Sequence, residues 1–298
     1  MHRPPESVET LFKRVQSGDS RALAELGKRF LVGDGTKPAP DKGIALLREA
    51  ASRGDAEAAA LLAVCAAWGV AQARDIQAAL DHLQRAAELG WAPALSELQL
   101  LARQSGDGAA ALRKSIDLAA WTTPPAALVL RERPRIMVLE HFATPAECEW
   151  LIRRGSPSLA RAKVYRGSAQ ARTAETRTNR ETSFTIFNAD VLLSLLRDRI
   201  SAAAGAPVTH FEIAKLLSYA PGEQFALHAD FIEPRTPELV QEIQIRGQRS
   251  ATFLVYLNEG YEGGETDFPR AGVRYKGARG DALLFSNVDA TGAPDYDT

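Results

Sequence analysis

Two residues of the stretch QFALHADF, His228 and Asp230, stand two positions apart. On an extended strand, side chains two apart project from the same face, so one strand offers an imidazole and a carboxylate to one point in space. A neutral imidazole and a carboxylate, completed by a second histidine, form the facial arrangement that holds non-haem iron(II) and leaves positions open for co-substrate and dioxygen. The same pair also occurs on protein surfaces as two hydrogen-bonding residues. With 5 histidines in the chain, the pair alone leaves both readings open. His82, His141 and His210 read as structural or surface histidines.

The elements that must position the pair are short and strand-like. THFEIAKLLSY, QFALHADF, SATFLVYLNEG, GGETDFP and DALLFSNV are runs of β-branched, aromatic and aliphatic residues, separated by Pro221-Gly222, Gly263-Gly264 and Gly280-Asp281. Ahead of them, DVLLSLLRDRISAAAG predicts an amphipathic helix with Leu192, Leu195, Leu196 and Ile200 on one face and Gly205 beyond its end. A further helix start is written at Thr144 as N-cap, Pro145 at the first helical position and Glu147 three after the cap, with Gly155 as the stop. Helices followed by such strands predict a double-stranded β-helix, or jelly roll, with packing helices.

The first hundred residues have a different character. With Gly18, Gly54 and Gly90 in register, a period of 36 emerges: Ala22, Ala58 and Ala94 align, as do Leu26, Leu62 and Leu98, and the pairs Ala50-Ala51 and Ala86-Ala87 superpose. A period of this size belongs to helical solenoids, in which each repeat buries its apolar face only against its neighbours. Proline and β-branched residues enter at WTTPPAALVLRERPR, which marks the boundary. The fold class expected is therefore multidomain, α then α+β, with a helical repeat domain over 1–118 and a jelly-roll domain over 119–298.

Bulk composition excludes more than it selects. At 45% hydrophobic and 24% charged the chain is an ordinary globular protein. Its 36 basic and 37 acidic side chains nearly cancel, so no overall field points to nucleic acid or to an anionic membrane. Cys65 and Cys148 lie far apart in apolar helical contexts, as suits buried thiols in a reducing compartment. With neither a long apolar run nor a secretory signal at MHRPPESVETLFKR, the expected location is cytoplasmic. Arg161, Lys163, Arg166, Arg172, Arg177 and Arg180 outnumber Glu175 and Glu181 in one basic stretch, with only Tyr165 as a stacking ring. That stretch reads as a solvated segment, with covering of a substrate as its functional alternative.

Three blocks in order, LLSYAPGEQFALHADF, GQRSATFLVYLNEGYEGGETDFP and KGARGDALLFSN, resemble the core of the prolyl 4-hydroxylase type of 2-oxoglutarate and iron(II) dependent dioxygenases. The resemblance covers roughly 130–298. It implies that His228 and Asp230 are iron ligands and that Tyr219 and Thr266 lie near the 2-oxoglutarate carboxylates, where a phenol and a hydroxyl are suitable donors to a buried anion. Arg249 matches a further family position, a solvated loop arginine being its other reading. The cofactors implied are Fe(2+) and 2-oxoglutarate, with ascorbate beside them. ALAELGKRFLVGDG followed by DKGIALLREAASRGDAEAAALL resembles the Sel1-like subclass of tetratricopeptide repeats over roughly 8–104, which implies a surface for a protein or peptide.

One part of the family pattern is missing. No histidine follows His228, whereas the family's second histidine and a basic partner of the distal carboxylate follow the DALLFSN strand; the ending ATGAPDYDT is read as a C-terminal truncation. Together these readings predict a dioxygenase hydroxylating a prolyl or other side chain of a protein or peptide delivered by the repeats. The alternative is a non-catalytic protein-binding adaptor with a degenerate jelly roll.

Overall fold

Three glycines set the rhythm of the first half. Gly18, Gly54 and Gly90 all adopt left-handed φ values, 91°, 93° and 90°. A Cβ at any of them would meet no atom within 4 Å, so backbone conformation and not crowding requires glycine there. Each lies in a turn that admits the next helix. A computed structural model describes residues 6–106, 108–163 and 175–298. The chain forms two compact units, Met1–Trp121 with Thr185–Arg197, and Thr122–Phe184 with Asp198–Thr298.

The first unit contains α1 (Val8–Gln16), α2 (Ser20–Val32), α3 (Pro40–Ser52), α4 (Ala56–Trp68), α5 (Ile76–Glu88), α6 (Ala92–Ala102), α7 (Ala109–Ser115) and most of α8 (Leu118–Thr122). Asp19 and Asp55 cap α2 and α4 by accepting hydrogen bonds from backbone N–H groups of the first turn. The register read from the sequence is the register of the core: Ala22, Ala58 and Ala94, then Leu26, Leu62 and Leu98, are all buried. Helices α2 and α3 cross closely at Gly27 and Gly43, where a Cβ on Gly43 would stand 2.8 Å from the Gly27 carbonyl oxygen. Thr185–Arg197 is held in this unit by polar bonds to α4 and α6. The Trp68 indole donates to the Asp190 carbonyl (3.1 Å), Ser194 to the Ala67 carbonyl (2.8 Å), and the Leu192 N–H to Glu97, a carboxylate only 5% exposed. A buried carboxylate at a helix N-terminus is stabilised by the unpaired amides it meets there.

The second unit opens with the hairpin β1 (Leu128–Glu132) and β2 (Arg135–Leu139), followed by α9 (Pro145–Gly155), β3 (Ala160–Arg161), β4 (Arg180–Ser183), the end of α10 (Val191–Ala204) from Asp198 on, β5 (Lys215–Ser218), α11 (Pro237–Arg246), β6 (Ala251–Val255), the ribbon β7 (Thr266–Phe268) and β8 (Val273–Tyr275), and β9 (Ala282–Ser286). The strands form a four-stranded sheet in the order β1-β2-β9-β6, a three-stranded sheet β3-β4-β5, and the two-stranded ribbon, all antiparallel. This is the strand-rich second half expected from the sequence. Register places Thr252 beside Phe285 and Leu254 beside Leu283, with Ile136 and Val138 across β9 from them. That face buries a core of Ile136, Val138, Leu283 and Phe285 against Phe268 and Ala271 from the ribbon and its turn. The opposite face carries Phe253, whose ring meets Phe142 at 4.9 Å.

Helix α9 begins as written, with Thr144 and Glu147 forming a reciprocal capping box. Glu147, 1% exposed, also accepts from Arg199 of α10 at 3.0 Å, and Arg199 donates to the Phe142 carbonyl. The helix ends at Gly155 as expected, although at φ −89°, and the lack of a side chain there makes room for Leu216 of β5, 2.4 Å from where a Cβ would be. Three sequence expectations need correction. Val191–Arg197 of α10 is buried all round and not on one face alone. QFALHADF is not a strand, since it makes one bridge, Phe225 with Arg177, and then turns. In THFEIAKLLSY only Lys215–Ser218 is a strand, while α11 was not foreseen.

Candidate functional site

Because 224–231 turns instead of running straight, alternation along a strand does not bring His228 and Asp230 together. Local hydrogen bonds do. Gln224 and Ala226 form a short ladder with Thr178 and Thr176, after which the His228 Nδ1 bonds the Ala226 carbonyl at 2.8 Å. The Gln248 side chain then clamps the segment, accepting from the Ile232 N–H (2.7 Å) and donating to its carbonyl (2.8 Å). Phe231 is buried with its ring edge-on to Tyr296. The turn is thus fixed on both sides of the pair.

Within it, His228 Nε2 lies 3.1 Å from Asp230 Oδ1. A carbonyl oxygen only accepts, so the Ala226 bond places a proton on Nδ1 and leaves Nε2 as the nitrogen that faces the carboxylate. These two acceptor atoms approach only with a cation between them, either a proton or a metal ion. Neighbouring ligands at right angles, each about 2.1 Å from one metal, stand about 3.0 Å apart. The observed spacing fits two adjacent ligands of one ion. Among the described residues no group of three or more His, Cys, Asp or Glu side chains converges on a metal position.

The surroundings hold both side chains. The imidazole stacks on Phe225 (3.5 Å between centroids, 13° between planes), and the Arg177 guanidinium lies 4.6 Å over the same ring. Arg177 is anchored in turn to Asn179 and Glu181. It is therefore no solvated member of the basic stretch; Tyr165, Arg166 and Arg172 lie outside the described residues. Asp230 Oδ2 accepts from the Thr252 hydroxyl at 2.7 Å, and that hydroxyl accepts from Asn287 Nδ2 at 2.9 Å. Burial acts to raise the Asp230 carboxyl, but its bonds to His228 and Thr252 outweigh burial and hold it below the ordinary value.

The other expected site residues are placed less closely. Tyr219 follows β5 and is 47% exposed; burial of its phenol raises its pKa, with Arg177 opposing and Asp230 adding to the rise, which puts it in the electrostatic reach of the pair. Thr266 on β7 shares a hydrogen bond of 2.8 Å with the Tyr256 hydroxyl. Tyr256 is four residues beyond Thr252 on one strand face, about 13 Å along it at 3.3 Å per residue. Burial pushes the Tyr256 phenol up to about 12. Arg249 pairs with Glu212 at 2.6 Å near the surface. Thr252, Tyr256, Gln248 and Asn287 were not singled out from the sequence, although the alternation Thr252, Leu254, Tyr256 marks two hydroxyls on an inward strand face.

Residues 214–292 match the profile of the 2OG-Fe(II) oxygenase superfamily, and 20–55 and 56–91 each match the Sel1 repeat. The chain is 29% identical over 197 residues to probable prolyl 4-hydroxylase 4 of Arabidopsis thaliana, covering 59% of this chain and 64% of that protein. It is 29% identical over 168 residues to the prolyl 4-hydroxylase subunit alpha-1 of Rattus norvegicus, covering 56% and 31%. The chain thus spans less than two thirds of the length of either relative. The viral collagen prolyl hydroxylase from Paramecium Bursaria Chlorella virus-1, solved with 2OG, aligns at 22% identity over 54% of this chain and 83% of its own, with a TM-score of 0.40.

Proposed function

We propose that this chain is a 2-oxoglutarate and iron(II) dependent dioxygenase that hydroxylates a prolyl or similar side chain of a protein or peptide. The observation that carries the reading is the His228–Asp230 pair, two ligand atoms 3.1 Å apart inside the segment that matches the oxygenase superfamily. Bound iron(II) would couple decarboxylation of 2-oxoglutarate to hydroxylation, one atom of dioxygen entering succinate and the other a C–H bond, with CO2 released. The chain's own part is to present and orient. His228 offers Nε2 because Ala226 retains the Nδ1 proton, and the Phe225 stack fixes the ring plane. Asp230 offers Oδ1. Tyr219 and Thr266 are donors for the co-substrate carboxylates, Thr266 together with Tyr256. Ascorbate would serve as an auxiliary reductant. The Sel1 repeats provide the protein-binding surface, and the buried, unpaired cysteines suit a reducing cytoplasm.

The test uses the chain as it stands and the chain extended past Thr298 with a designed strand that carries a histidine. With iron(II), 2-oxoglutarate and a panel of prolyl peptides, the extended protein is expected to release succinate in proportion to hydroxylated peptide, and His228→Ala to abolish both. An extended protein that folds and binds iron yet never consumes 2-oxoglutarate would leave the adaptor as the function.

A further inference from the structure

We propose that Thr252 and Asn287 are positioning residues that hold Asp230 as a one-oxygen metal ligand, an inference that rests on the metal reading above. Two strictly directional bonds carry it. An ionised carboxylate only accepts, so the 2.7 Å contact between Thr252 Oγ1 and Asp230 Oδ2 spends the single hydroxyl proton of Thr252 on Asp230. The hydroxyl then has only lone pairs left, so the 2.9 Å contact from Asn287 must come from its Nδ2. This fixes the amide's orientation by logic and not by assignment alone. The relay runs one way: Asn287 N–H to Thr252 O–H to Asp230.

Its position in the fold makes it rigid. Thr252 sits on β6 and Asn287 just past β9, whose strands pair through Thr252 and Phe285, and the Asn287 N–H closes the ladder on the Ser250 carbonyl at 2.9 Å. Asn287 is 1% exposed, and its Oδ1 has no hydrogen-bond partner among the described residues. A buried amide that leaves one acceptor unpaired is held at a cost to stability, which points to its N–H as the part that matters. With Oδ2 engaged by Thr252, only Oδ1 faces His228 Nε2. The carboxylate plane is set, and chelation through both oxygens is opposed.

Co(II) serves as the probe, in the presence of 2-oxoglutarate, with affinity read by calorimetry and coordination by the visible spectrum. Thr252→Val keeps the shape and removes the hydroxyl; it is expected to weaken Co(II) binding about tenfold, within the range for partners that orient metal ligands, and to alter the spectrum, while Thr252→Ser restores both. Asn287→Ala is expected to weaken binding about threefold, and to have no further effect in the Thr252→Val background, because it acts through Thr252. Parental affinity and spectrum in Thr252→Val overturn the proposal, as does an Asn287→Ala effect of equal size in both backgrounds. If Thr252→Val does not fold, Asn287→Ala with an unchanged circular dichroism spectrum decides alone, and parental affinity there is the overturning result. If His228→Ala and Asp230→Ala also bind Co(II) at parental affinity, it is the metal reading itself that fails.

Discussion

The repeat unit and the candidate site handle their buried polar groups in opposite ways. In the repeats, one solution recurs every 36 residues: a left-handed glycine, then a buried alanine and leucine, with an aspartate cap after the first two glycines and Trp91 in its place after the third. In the site, each solution is used once, and those that hold the local His228–Asp230 pair in place join distant residues, as in Asn287 with Thr252 or Arg177 with Phe225. Local, repeated contacts spread stability over many equivalent positions. The single-use contacts of the second unit concentrate consequence in a few side chains.

The largest effect is expected where a single-use contact is also charged and buried. Arg199→Met removes the buried ion pair with Glu147, and urea unfolding should show a loss of about 4 kcal/mol; a loss below about 1 kcal/mol would show that the pair is dispensable and weaken the contrast. His228→Ala should separate function from stability. Divalent metal affinity falls about 100-fold, or ~2.8 kcal/mol, while the melting temperature stays near that of the parent, because the side chain is partly exposed.

The repeats should respond in smaller, equal steps. Gly18→Ala, Gly54→Ala and Gly90→Ala each force a side chain into the left-handed region, at about 1 kcal/mol apiece. Unequal losses would mean that the three turns, alike in φ, do not carry equal strain. The smallest effect near neutral pH concerns the thiols. Burial pushes Cys65 up to about 12 and Cys148 up to about 11. Since the folded pKa values exceed the ordinary value of 9.0, their contribution is fully present below pH 9 and declines as pH rises through 11 to 12. Urea midpoints measured from pH 7 to 10.5 should be flat and then fall, and a Cys65→Ala, Cys148→Ala variant should fall less steeply over the upper range.

The same contrast explains what could be read from sequence. The repeat register and the start of α9 at Thr144, Pro145 and Glu147 are local signals, decided within a few residues, and the chain folds as they say. Thr236, Pro237 and Gly247 bracket α11 with comparable signals, but the strand-like run around it drew the reading elsewhere. QFALHADF has the composition of a strand and departs from one because Gln248, 16 residues on, captures the backbone of Ile232. The pairing of Asn287 with Thr252, 35 residues apart, depends on strand register across β6 and β9, which no local pattern encodes. His228 and Asp230 were found through their types and spacing, though a turn and not a strand brings them together.

The stack of His228 on Phe225 also has a spectroscopic consequence. At 3.5 Å and 13° from parallel, the imidazole protons lie in the shielding cone of the phenyl ring and will resonate well upfield of an ordinary histidine. With 5 histidines in the chain, that displacement singles out one pair of aromatic signals. It gives nuclear magnetic resonance a marker for the orientation of the ring before any metal, co-substrate or peptide is added.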